Sequence, residues 1–171
     1  MGGTTMKKHI MLYIIITLIL TGCSVTEKQK ITINNPYEVA INNKILSYYD
    51  TKEDVPIEFN VLDTSFENIQ KVDNNALVDS DNKIRRISIT DKNVITYNQI
   101  SVGDNVSKIE DNYLYEYKFE NIYMVIFNGN QEESPTNQNK GNDWIWITYI
   151  IDDSKISQIQ IYDVKYGFKF Q

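Results

Sequence analysis

A chain of 171 residues, 42% hydrophobic and 23% charged, is long enough for one modest folded domain. Its 12 Tyr, 6 Phe and 2 Trp supply large side chains for a core. The formal charge of −6 disfavours a nucleic-acid partner, because an acidic surface repels phosphate backbones, and a single Cys leaves no disulfide to staple the fold.

At the N-terminus, Lys7 and Lys8 precede the apolar run IMLYIIITLIL at residues 10–20. That run is well short of the roughly 20 residues a spanning helix needs, and it fits the apolar region of a signal peptide. Leu20-Thr21-Gly22-Cys23 follows. Small Thr21 and Gly22 admit the backbone to a peptidase, and the Cys23 thiol is a nucleophile. The ordered set resembles the lipobox of bacterial lipoproteins. The resemblance implies cleavage before Cys23, a diacylglyceryl group on its sulfur and palmitate-type acylation. It places the domain on the outer face of the cytoplasmic membrane, and the short leader and Ile-, Asn- and Lys-rich composition suit a Gram-positive host. The alternative is an uncleaved anchor. Met6 is the expected natural start. Loss of the leader removes two of the 17 basic residues and no acidic one, leaving 15 against 23, a charge of −8. The expected layout is a leader over 1–22, lipidated Cys23 with a polar tether over 23–35, and a domain over 36–171, read either as one unit or as two repeats (36–90 and 91–171).

The repeat reading rests on two stretches, 37–55 and 87–109. Each runs from an alternating strand through an Asn-bearing turn (Asn42-Asn43, Lys92-Asn93) to an Asp (Asp50, Asp104) that opens a helical signal. Asp50-Thr51 caps one expected helix, which Pro56 ends. Thr64-x-x-Glu67 fits a capping box for another, with Phe66 and Ile69 on its buried face. Asp79-Ser80-Asp81-Asn82-Lys83 lacks the glycine and distant glutamate of a calcium loop and reads as a hairpin turn. Gly103, then Asp104 or Asn105, begin a third helix with Val106 and Ile109 on one face. Alternation next predicts strands. Over 113–119 it places Tyr113, Tyr115, Tyr117 and Phe119 on one side. The stretch 121–129 is apolar on both sides and so is expected to be central. Residues 129–143 read as a polar loop, and 144–152 pairs with 155–163 through Asp152-Asp153-Ser154. The tail over 164–170 alternates as an edge strand would.

Ile100-Ser101-Val102-Gly103-Asp104 through Ile109, followed by this meander, resembles the repeat of β-lactamase inhibitor proteins and the small lipoprotein of the outer-membrane assembly machinery. Val102, Gly103, Asp104 and Ile109 carry the match over 100–163. Asn112-Tyr113 stands where that class usually has Gly-x-Pro. The resemblance implies an α+β fold: an antiparallel β-sheet with short helices packed on one face and the other face open to a partner protein.

With Cys23 acylated and His9 removed, the mature chain offers neither thiol nor imidazole, which excludes Ser-His-Asp triads, Cys-His pairs and the usual zinc sites. No cofactor or metal is expected, and no residue is singled out as catalytic. Glu132-Glu133 and Asp152-Asp153 read as turn residues rather than a catalytic pair. Trp144 and Trp146 alternate with Ile145, Ile147, Tyr149 and Ile151, and the aliphatic side reads as core. The Trp side, with Tyr162, is either an exposed aromatic platform or a second core, and the row Tyr113, Tyr115, Tyr117 is open in the same way. The expected function is a non-enzymatic protein-binding or assembly module anchored to the bilayer through Cys23 and meeting an envelope or secreted protein by these aromatics. The alternatives are a cell-wall glycan-binding module or a carboxylate-dependent hydrolase.

Overall fold

The computed structural model describes residues 31–63, 73–134 and 144–163. The leader, Cys23, the expected Thr64 helix and the tail strand lie outside these. A short hairpin comes first, β1 (Glu38–Ile41) with β2 (Lys44–Ser47), turning on Asn42 and Asn43. Both asparagines hold positive φ, 49° and 64°, as a two-residue hairpin turn of this hand requires. Asn43→Val is expected to cost about 1–2 kcal/mol through left-handed strain, read as a lowered thermal midpoint.

One eight-stranded sheet makes up the rest. Its strands are β3 (Asn60–Asp63), β4 (Asn75–Val78), β5 (Ile84–Ile89), β6 (Tyr117–Phe119), β7 (Ile122–Asn128), β8 (Gln131–Glu133), β9 (Ile145–Asp152) and β10 (Lys155–Asp163). The order is β3-β4-β5-β10-β9-β7-β6, with β8 also paired to β7. Among the described strands, only β3 with β4 is parallel. The β4–β5 hairpin closes as expected: Asp79 Oδ1 accepts the backbone N–H groups of Asp81 and Lys83, and Asn82 takes φ 60°. Asp153 and Ser154, both at positive φ, turn β9 into β10.

Register explains the core. Ala76 pairs Ile87, Ile87 pairs Ile161, Ile161 pairs Ile147 and Ile147 pairs Val125, so one apolar row crosses five strands. Ile89, Ile159, Tyr149 and Tyr123 form the next row. Both rows belong to a single cluster with Val39, Leu46, Tyr48, Val94, Ile100 and Ile109. The aliphatic side of β9 is therefore core, as alternation required.

The expectation of an α+β fold with helices packed on the sheet is overturned: the fold is dominated by its sheet. Among the described residues the helical pieces are a single turn each. Lys52–Asp54 and Tyr97–Gln99 are 3₁₀, and α1 (Ser107–Glu110) has four residues. The capping signals are real but local. Asp54 accepts the Thr51 N–H and hydroxyl, and Asn105 accepts the Ser107 N–H. Turns this short bury one side chain at most, and α1 buries only Ile109. Cover for the core face comes instead from the β1–β2 hairpin and the irregular chain between β5 and β6. After Lys92-Asn93 no second hairpin forms. Ile95 bridges Ala40 of β1 instead, and β5 of the first half pairs with β10 of the second inside the same sheet. Part of the expected polar loop is strand β8.

Candidate binding surfaces

The six aromatics singled out by sequence do not form one surface. Tyr113 is core, and its hydroxyl lies 2.6 Å from that of Tyr149. Trp144 is buried. Trp146 and Tyr162 do share the sheet face opposite the core, stacked at 6.4 Å, with the Arg86 guanidinium 5.6 Å from the Tyr162 ring. That face is no bare platform. Tyr162 is 2% exposed and its hydroxyl lies 2.7 Å from that of Thr148, itself buried. A mixed row of Asn75, Ser88, Gln160, Thr148 and Met124, all buried, runs beside them.

Tyr115 and Tyr117 are exposed, and sequence missed how far the patch around them extends. Leu114 is 82% exposed, with Tyr115, Tyr117 and Phe119 each close to half. Tyr113 parts from this row because the strand starts only at Tyr117; the chain turns between α1 and β6, and strict alternation fails there. β6 is an edge strand, all three of its residues exposed. Glu132 reaches back from β8 to accept the Tyr115 N–H at 2.5 Å and fixes the approach to the edge. Burial raises the Glu132 carboxyl above its ordinary range, with the backbone bonds from Tyr115 and Leu114 opposing. Among the described residues of 107–122 and β8, Glu110, Asp111, Glu116, Glu120, Glu132 and Glu133 outnumber Lys108 and Lys118, of which Lys108 is bound to Asp104 and Lys118 lies over the Tyr123 ring.

A second feature lies where β5 begins and β9 and β10 meet. A cavity of about 220 Å³ is lined by Tyr48, Tyr49, Lys83, Ile84, Arg85, Ile145 and Asp163. Period-two alternation carries Asp163 onto the core face after Ile159 and Ile161, opposite Ile145. Its Oδ2 accepts the Tyr48 hydroxyl at 2.9 Å. Leu77 pairs Arg86 and Val78 pairs Ile84, so Arg85 is the extra residue of a β-bulge, which re-aims its side chain. Its Nε and Nη2 both reach Asp79 Oδ2, at 2.6 and 2.5 Å. Burial pushes the Asp79 carboxyl up, but the Lys83 N–H, Arg85 and the Asp81 N–H outweigh it and hold it below its ordinary value. Burial, then the hydrogen bond and charge of Asp163, push the Tyr48 phenol well up, against a weaker pull from Arg85. The sequence did carry signals for this site: an acid in phase with core isoleucines, and an Arg-Arg pair that breaks strand alternation.

No group of metal-ligating side chains is found among the described residues, and none of their helices is long and apolar enough to cross a membrane. No curated protein and no solved structure matches the chain. Residues 74–155, from the start of β4 to the start of β10, match the family described as PAS domain, a similarity that spans just under half of the chain.

Proposed function

We propose that the chain is a membrane-anchored extracytoplasmic lipoprotein, tethered through Cys23, whose β domain is a non-enzymatic binding module. It meets another envelope or secreted protein along the open edge at β6. One observation carries this reading: four large apolar side chains, Leu114, Tyr115, Tyr117 and Phe119, are exposed on and beside a sheet edge that no other strand among the described residues pairs. Exposed edges with apolar side chains otherwise invite uncontrolled association, and an extended segment added to such an edge gains main-chain hydrogen bonds. The surplus of carboxylates around the edge selects a partner segment carrying Lys or Arg. The likeness to PAS domains supports a sensory or binding role in general terms.

Replacing Tyr115, Tyr117 and Phe119 together with Ser in the full-length chain tests the edge. The expected result is loss of partner capture by about a hundredfold, because exposed aromatic anchors of this kind concentrate binding energy. The thermal midpoint is expected to stay within a few degrees, since exposed side chains contribute little to folding. Partner capture at the unsubstituted level would reject the edge. Glycan binding lost in the same variant, with protein capture intact, would transfer the surface to the cell-wall reading. The anchor has its own test. Cys23→Ala is expected to abolish palmitate labelling and to release the protein from membranes, and unchanged labelling would remove Cys23 from the account.

A further inference from the structure

The edge at β6 has two sides, and their chemistry differs. Tyr117 lies opposite Met124 and Phe119 opposite Ile122, and those rows run on to Thr148 and Ile150 of β9. Both rings therefore stand on the sheet face away from the core, where partly exposed Ile122 and Ile150 extend the apolar surface behind Phe119. Lys118 lies opposite Tyr123, a core residue, and so stands on the other side. Its ammonium sits 4.7 Å from the centre of the Tyr123 ring. Glu110 shares that side, because its Oε1 accepts the Tyr123 hydroxyl at 2.9 Å. Glu132 lies opposite Phe127, also a core residue. Glu116 is near enough to both to raise the Glu132 carboxyl and to help hold the Lys118 proton. One ammonium thus stands among three carboxylates on this side, while the opposite side presents two rings.

Resting on the reading that a protein segment adds to this edge, we propose that the segment alternates Lys or Arg with apolar residues. Its basic side chains turn to Glu110, Glu116 and Glu132, and its apolar ones to Tyr117 and Phe119. Successive side chains of an added strand point to opposite faces, so alternation alone serves both sides in one pass. A uniformly basic segment would set charges against Phe119, Ile122 and Ile150, and a uniformly apolar one would leave the carboxylates unmatched. A cation arriving between Glu116 and Glu132 relieves the repulsion that raises Glu132. A second copy of the chain would bring the same surplus of carboxylates and meet like charge with like.

Titration of the full-length chain in detergent with three peptides tests the pattern, read by calorimetry and by amide exchange over 117–119. The first peptide alternates Lys with Val, the second has the same composition in two blocks, and the third alternates Glu with Val. The alternating Lys-Val peptide is expected to bind with Kd below about 0.1 mM and to slow exchange over β6. The other two are each expected to bind at least about tenfold more weakly, since each fails to match one side of the edge. Glu116→Lys, at an exposed position, is expected to weaken the alternating peptide by a similar factor. No binding by that peptide, equal binding by the block or Glu-Val peptide, or unchanged affinity in Glu116→Lys would overturn the proposal. Capture of the natural partner by the Tyr115, Tyr117 and Phe119 variant is read separately. A failed peptide pattern therefore leaves the edge standing, whereas intact capture by that variant removes the edge itself.

Discussion

Raising the pH above about 10 is expected to unfold the domain steeply. Burial raises the phenols of Tyr48, Tyr113, Tyr149 and Tyr162 above their ordinary value. Tyr113 and Tyr149 lie hydroxyl to hydroxyl in the core; the charge and hydrogen bond of Tyr149 raise Tyr113 further, while the same bond lowers Tyr149 against its burial. The sign follows from proton binding. Between the unfolded and folded values the unfolded chain has lost these protons and the folded chain keeps them, so stability falls as pH rises. Each such tyrosine contributes a slope of about 1.4 kcal/mol per pH unit. Four together give roughly 5.6 kcal/mol per unit at most, enough to consume the typical 5–15 kcal/mol of a domain within about one to three units. Urea midpoints measured from pH 8 to 12 are expected to be flat at first and to collapse above 10. Tyr113→Phe is expected to lower that slope by about one tyrosine's share. A midpoint unchanged to pH 12 would contradict the burial of these phenols.

Ile147→Ala is expected to cost about 2–5 kcal/mol. Ile147 is fully buried and sits between Ile161 on β10 and Val125 on β7, at the centre of the row that joins five strands. Its loss leaves a cavity that paired backbones on both sides prevent from collapsing. Ile57→Ala is the control, because Ile57 is 91% exposed and its truncation is expected to stay within about 0.5 kcal/mol. Denaturant unfolding separates the two. Similar costs for both would contradict the register that defines the core.

Much of the sheet was legible because period-two alternation is a local signal. The Ile145, Ile147, Tyr149 side of β9 and its pairing with β10 followed from it, as did the β4–β5 turn at Asp79 through Lys83. The helices expected after Asp50-Thr51 and after Gly103-Asp104 were misjudged because a cap shows where a turn can start and not how far it runs. Asp104, Asn105 and Thr51 make real local hydrogen bonds at turns too short to form a helical layer. The row Tyr113, Tyr115, Tyr117 failed as a unit because only Tyr117 lies in a strand, so its alternation had no ladder to enforce it. Tyr162 was ambiguous for a different reason. A ring in alternation with core residues must face the other side of the sheet, but periodicity does not say whether that side is covered. The cavity escaped because its residues lie far apart in sequence, with Tyr48 separated from Asp163 by most of the domain.

Site-specific photo-crosslinking from position 117 in intact cells tests the central claim most directly. A photoreactive residue in place of Tyr117 is expected to yield one discrete adduct, mapped to a segment of the partner rich in Lys or Arg and weakened by added salt. The same residue at Ile57, more open to solvent than Tyr117 but away from β6, is expected to yield none. Identical adducts from both positions, or none from position 117 in cells where the protein is membrane-bound, would contradict a partner-binding role for this edge.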